Sequence, residues 1–213
     1  MFVRMVSLGI GYLIGSISVS SISARLRHNI NLAEAGKGGA RTWSRYYRLY
    51  GFKETWLAAV GELLKGTLSA FLAYCISGGY PAAVIIAGLG CIIGHAYPLY
   101  FGFKGGKSMS VGGGILLFMG LQEPILLLII GVAIVIVALM WKRSDTVSHG
   151  SLSATTFIWI STLLAHELLE MIPDLYAKFI YVGCGIIYVL FRNNIIAILG
   201  GTEHKTPFPT HHQ

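Results

Sequence analysis

The sequence predicts an all-α integral membrane protein, a bundle of seven transmembrane helices with its N-terminus outside and its C-terminus in the cytoplasm. Three observations carry that prediction. Of 213 residues, 54% are hydrophobic and only 12% charged, with a mean hydropathy of +0.68; soluble domains carry about a quarter charged residues. Apolar runs of spanning length recur between turn signals. The basic residues, finally, fall almost entirely on one side of those runs.

The candidate spans are residues 5–24, 55–77, 81–100, 109–121, 124–141, 151–166 and 175–191. The first lacks a small-x-small cleavage site before its charges begin and is expected to be retained as a helix. Gly78-Gly79-Tyr80-Pro81, Glu123-Pro124 and Pro173-Asp174 supply the turns. The fourth and sixth runs are short. With seven spans, the loops after the first, third and fifth and the tail share one side, which holds Arg25, Arg27, Lys37, Arg41, Arg45, Arg48, Lys53, Lys104, Lys107, Lys142, Arg143, Arg192 and Lys205. The other side keeps Arg4 and Lys178 beside Glu123, Glu167, Glu170 and Asp174. An even number of spans would scramble this asymmetry. The net charge of +7 therefore speaks for an anionic lipid surface rather than nucleic acid. Cys75, Cys91 and Cys184 sit in apolar runs without metal-ligand spacing and are read as small buried hydrophobes. No metal is expected.

Polar residues inside the spans mark a site. Glu62 lies about 10 Å into the second span at 1.5 Å per residue, and Lys65, three residues on, shares its face. Charges in hydrocarbon are costly, so both should face the bundle interior, either as an ion pair that orients helices or as part of a site. Ser16 falls in the inner half of the first span and His95 near the inner end of the third. His95 reads equally well as a structural hydrogen-bonding residue.

Two loops add basic and glycine residues. Phe101-Gly102-Phe103-Lys104-Gly105-Gly106-Lys107-Ser108 precedes a helix opening with Gly112-Gly113-Gly114. Glycines allow backbone amides to approach an anion, a helix start adds positive potential, and Lys104 and Lys107 add charge. The upstream spacing of a Walker A loop is missing. Gly36-Lys37-Gly38-Gly39-Ala40-Arg41-Thr42 forms a second basic glycine loop, followed by Trp43, Arg45, Tyr46, Tyr47, Arg48 and Tyr50, the pattern of a helix lying in the interface. Two anion sites suit a reaction between two phosphorylated substrates.

These residues resemble a divergent member of the bacterial acyl-phosphate:glycerol-3-phosphate acyltransferases, the PlsY family. Gly94-His95-Ala96-Tyr97-Pro98 followed by Phe103-Lys104-Gly105-Gly106-Lys107 is similar to the family's G-H-x-F-P and F-K-G-G-K signature. Gly15-Ser16-Ile17 looks like its G-S-I-P, Glu62-Leu63-Leu64-Lys65-Gly66 its D-x-x-K-G, and Ser148 with Ser151 its S-x-x-S. Asn194-Ile195 and Gly201-Thr202-Glu203 resemble its closing N-I and G-T-E. The first loop departs from the family's G-S-G-N-x-G-A-T-N, and Asp145 and Ala197 stand where the family has arginines.

The resemblance implies a single domain over residues 1–213, a monomer in the bacterial inner membrane with its active face cytoplasmic. It implies transfer of a fatty acyl group from acyl-phosphate to the 1-hydroxyl of glycerol 3-phosphate, giving lysophosphatidic acid and phosphate without cofactor, metal or nucleotide. Ser16, His95, Lys107 and Glu62 would then be catalytic. Lys104, Gly105, Gly106, Lys65, Ser148, Ser151 and Asn194 would bind substrate, with Gly36, Lys37, Gly38, Gly39 and Arg41 holding the acyl phosphate. The alternative is a non-catalytic paralogue that binds or senses a phosphorylated metabolite or anionic lipid. A small transporter is a third reading, disfavoured by the lack of an internal repeat.

Overall fold

The computed structural model describes residues 1–34, 42–144 and 147–202. The loop residues Gly36, Lys37, Gly38, Gly39 and Arg41, the substituted Asp145 and the tail from Glu203 lie outside the described residues. The described chain is helical, and it divides into two compact units, Met1–Phe118 and Met119–Gln213. Five helical stretches are long and apolar enough to cross a membrane: Phe2–His28, Trp43–Ser77, Pro81–Phe101, Pro124–Arg143 and Asp174–Leu199.

The first unit begins with a break. The run expected as one helix over 5–24 is two, α1 (Phe2–Ser16) and α2 (Val19–His28), parted by extended backbone at Ile17 and Ser18. Serine chemistry explains the position. The Ser18 hydroxyl accepts from Ser21 N–H and starts α2 as an N-cap, while Ser16 Oγ bonds back to Tyr12 O at 2.8 Å. Helix α2 ends at Asn29 in the left-handed conformation, where Ile30 N–H reaches back to Ala24 O, with Arg25, Arg27 and His28 in its last turn.

Helix α3 (Trp43–Ser77) starts earlier than the expected 55, because its first turns form the aromatic segment Trp43–Tyr50. Gly51 separates that segment at φ 73°, ψ −179°, a conformation open essentially to glycine alone. The segment packs Tyr46 on Ala24, Leu32 and Ala58, with Ile30, Trp43 and Tyr50 around them. Helix α4 (Pro81–Ala96) starts on a proline, a residue suited to the first turn, and ends before a 3₁₀ turn at Leu99–Phe101; residues 81–100 are therefore not one helix. Helix α5 (Met109–Gly120) follows.

Glycines set how closely these helices approach. A Cβ on Gly11 or Gly15 of α1 would lie 2.0 Å from Ala87 O or 2.2 Å from Cys91 O of α4. The relation is reciprocal: Cβ atoms on Gly90 and Gly94 of α4 would lie 2.5 Å from Leu8 O and 2.2 Å from Tyr12 O. Gly66 of α3 and Gly114 of α5 repeat the arrangement against Val111 O and Leu63 O. Such contacts let membrane helices gain dispersion energy where lipid offers no hydrophobic drive.

The second unit contains α6 (Pro124–Ser144), α7 (Val147–Glu167) and α8 (Asp174–Leu199). Helix α8 continues past the expected end at Phe191, so Arg192, Asn193 and Asn194 are helical. Helix α7 buries Ser148, Ser151, Thr155 and Thr162 along one face, which keeps it out of the five most apolar stretches despite its 21 residues. Thr156 of α7 pairs with the Tyr188 hydroxyl of α8.

Candidate active site

The break in the first span exposes backbone groups at both of its ends. A helix C-terminus leaves carbonyls without partners and carries partial negative charge; a helix N-terminus leaves amides and partial positive charge. Lys65 meets the first end: its Nζ donates to Gly15 O at 3.0 Å and to Ile17 O at 2.7 Å. Glu62 meets the second, its Oε1 accepting from Ser20 N and Ser20 Oγ, both at 3.0 Å. The two side chains come from one face of α3 and pair with each other, Lys65 Nζ standing 2.7 Å from Glu62 Oε2. Each charge thus faces the helix end that its sign favours.

His95, in the last turn of α4, completes the cluster. Its Nδ1 lies 2.8 Å from Lys65 Nζ and 3.4 Å from Glu62 Oε2. The expected Glu62–Lys65 pair therefore forms and His95 joins it, but the first two have internal partners and are buried. Ser16 is also fully buried: besides donating to Tyr12 O, its hydroxyl accepts from Leu99 N at 3.2 Å, tying α1 to the 3₁₀ turn.

The lysine loop folds back onto the end of α4. Gly105 N donates to Ala96 O at 3.1 Å and Gly106 N to His95 O at 3.0 Å, so these amides cap α4 rather than forming an open anion cradle. This corrects the physical argument drawn from the glycines alone. They are needed for approach: a Cβ on Gly105 would lie 1.9 Å from His95 O, and one on Gly106 2.2 Å from His95 Nε2. Gly102, Phe103 and Ser108 all have positive φ, and Ser108 Oγ donates to Ile92 O at 2.7 Å, fixing the loop's exit into α5. The Lys104 side chain is exposed and Lys107 half-buried. The loop's two lysines thus sit directly before the first turn of α5.

In the second unit, Asn194 Nδ2 donates to Ser148 Oγ at 2.7 Å, joining α8 to α7, and Ser151 is buried one turn along α7. Among the described residues no cluster of His, Cys, Asp or Glu could hold a metal ion.

The residues that sequence reasoning missed belong to the break: Ser20 and the carbonyls of Gly15 and Ile17. Their signal was the serine repetition Ser16, Ser18, Ser20, Ser21, Ser23 within an apolar run, since serines compete with the helix for backbone partners.

A family model described as glycerol-3-phosphate acyltransferase matches residues 5–201. Among similar proteins, the glycerol-3-phosphate acyltransferase of Roseiflexus sp. (strain RS-1) is 33% identical over 92% of both chains. That of Geobacillus kaustophilus (strain HTA426) is 31% identical over 94% of both. A crystal structure of PlsY, an integral membrane glycerol 3-phosphate acyltransferase, in its glycerol 3-phosphate form superposes with a TM-score of 0.79 at 25% identity, covering 95% of this chain and 94% of that one. With the family match spanning nearly the whole chain, and His95 of the signature set against the Lys65–Glu62 pair at the broken helix, this integral membrane protein belongs to the glycerol-3-phosphate acyltransferase family.

Proposed function

We propose that this protein transfers a fatty acyl group from acyl-phosphate to the 1-hydroxyl of glycerol 3-phosphate. The hydroxyl oxygen attacks the acyl carbonyl carbon, a carbon–oxygen ester bond forms, and the carbon–oxygen bond to phosphate breaks. The hydroxyl proton passes to a phosphate oxygen, so that lysophosphatidic acid and inorganic phosphate leave. The reaction needs no metal, nucleotide or acyl-CoA. The observation that carries this reading is the lysine loop anchored directly on His95 by the Gly106 amide, in a chain of this family.

Lys104 and Lys107, brought close to His95 by Gly105 and Gly106, bind the glycerol 3-phosphate phosphate, and Ser16 holds the loop in place through Leu99. Lys37 and Arg41, with Gly36, Gly38 and Gly39, take the acyl phosphate; Ser148, Ser151 and Asn194 are substrate-binding residues of the second unit. Fixed positive charge at these positions stabilises the negative charge that develops on transfer. The protein acts as a seven-span monomer of the bacterial inner membrane, N-terminus outside, with this face towards the cytoplasm. The segregation of basic residues supports that orientation.

The test supplies purified protein with palmitoyl-phosphate and radiolabelled glycerol 3-phosphate and measures labelled lysophosphatidic acid, with Lys107→Ala beside it. Product that is lost in the variant is expected. A folded, monodisperse preparation that binds glycerol 3-phosphate without forming product would instead identify a binding paralogue.

A further inference from the structure

The cluster at the helix break decides which nitrogen of His95 carries a proton. An ammonium has three protons and no lone pair to give. Lys65 Nζ has four neighbours: Gly15 O at 3.0 Å, Ile17 O at 2.7 Å, Glu62 Oε2 at 2.7 Å and His95 Nδ1 at 2.8 Å. A proton on Nδ1 would set donor against donor across 2.8 Å, and its other acceptor, Glu62 Oε2, stands at the edge of hydrogen-bond range at 3.4 Å. The three hydrogen bonds of Lys65 Nζ, to Gly15 O, Ile17 O and His95 Nδ1, use its three protons, and this arrangement calls for Nδ1 as an acceptor with the ring proton on Nε2. The neutral ring holds its proton on Nε2.

That nitrogen points out of the cluster. It abuts Gly106, where any side chain would collide with it, and no hydrogen-bond partner for it occurs among the described residues. The His95 side chain is 11% exposed against 3% for Glu62 and 6% for Lys65. The ring thus has one face tied to the buried Lys65–Glu62 pair and one N–H left beside the lysine loop.

We propose that His95 acts as a neutral Nε2–H donor to an anionic oxygen of the phosphorylated substrate, and that Lys65 and Glu62 are positioning residues that fix this tautomer. The proposal rests on the acyl-transfer reading for its substrate. It assigns His95 a role opposite to that of a general base, because Nε2 cannot accept the hydroxyl proton while carrying its own. The acceptor of that proton is then the phosphate.

Two substitutions separate this role from simple packing. Asparagine places its amide oxygen where Nδ1 stands and still accepts from Lys65, whereas glutamine places its amide NH2 where Nε2 stands and keeps the donor. For the donor role, His95→Gln retains kcat within about tenfold and His95→Asn loses about a hundredfold or more, the cost of removing one such donor. The reverse order, asparagine active and glutamine inactive, would overturn it. Independently of activity, protein labelled with ¹⁵N-histidine in nanodiscs gives the His95 tautomer from its long-range ¹H–¹⁵N pattern, assigned by difference against His95→Asn. A protonated Nε2 and bare Nδ1 are expected in the wild type, with a mixture of tautomers in Lys65→Met. A protonated Nδ1 in the wild type would overturn the proposal. Addition of glycerol 3-phosphate should move the Nε2–H resonance. If it does so in a protein without acyltransferase activity, the acyl-transfer reading falls and the donor stands; if the resonance stays still, the donor role falls.

Discussion

Replacing Glu62 and Lys65 together by Leu and Met separates a helix-capping ion pair from an ordinary one. A buried ion pair is commonly exchanged for apolar residues of similar volume without loss, since the desolvation cost disappears along with the attraction. Here the pair also partners three backbone groups at the break: Gly15 O, Ile17 O and Ser20 N–H. Each would be left without its present partner, at about 1–3 kcal/mol apiece where the group stays buried. At the low end the double variant is less stable than wild type by about 3 kcal/mol. Lys65→Met alone, which also strands the Glu62 carboxylate, loses about 3–5 kcal/mol. Glu62→Leu alone, which strands the buried Lys65 ammonium, loses a comparable amount, so the two single losses sum to more than the low-end double, as expected for residues in contact. Unfolding by SDS titration in mixed micelles, followed by tryptophan fluorescence, measures all three variants. A double variant as stable as wild type would refute the capping role and reduce the pair to a replaceable contact.

Gly94→Ala, whose Cβ would lie 2.2 Å from Tyr12 O, should cost about 1–3 kcal/mol by the same titration, whereas Gly9→Ala, with nothing within 4 Å, should be neutral or stabilising. Gly51→Ala forces a side chain onto φ 73°, ψ −179° and should cost about 1–3 kcal/mol; increased protease cutting between Tyr50 and Thr55 would report it. Gly106→Ala should displace the His95 ring and reduce acyl transfer by at least about tenfold without lowering expression, because the collision is with a side chain rather than a helix backbone. Asn194→Ala leaves the Ser148 hydroxyl without its donor and should lower stability by about 1 kcal/mol, and a rise in KM without loss of kcat would assign Asn194 to substrate binding.

The membrane class and most helix boundaries were legible because hydropathy, proline and glycine act locally. Pro81, Pro124 and Asp174 each start a helix where the turn signals placed one. The pairing of Glu62 with Lys65 was legible from their i, i+3 spacing, and His95 was placed near the inner end of its span, but that the three meet was not predicted. Hydropathy could not reveal the break at Ile17–Ser18, because isoleucine and serine leave the apolar average almost unchanged and the partners that stabilise the break come from other helices. The extension of α8 beyond Phe191 was hidden for the opposite reason. Arg192 and Asn193 lower the hydropathy without interrupting the helix. The glycines of the lysine loop were located correctly, but spacing alone could not distinguish amides open to a ligand from amides already turned to Ala96 and His95.

The interrupted first span also bears on the order in which the chain assembles. A single helix entering a bilayer must satisfy its own backbone, so alone in lipid the segment Phe2–His28 is most stable uninterrupted. Its interruption requires Lys65 and Glu62 to arrive from a later segment, and the histidine these residues orient arrives later still. The Glu62–Lys65–His95 cluster is thus a property of the assembled first unit: a chain halted during insertion after its first span would not yet carry the break.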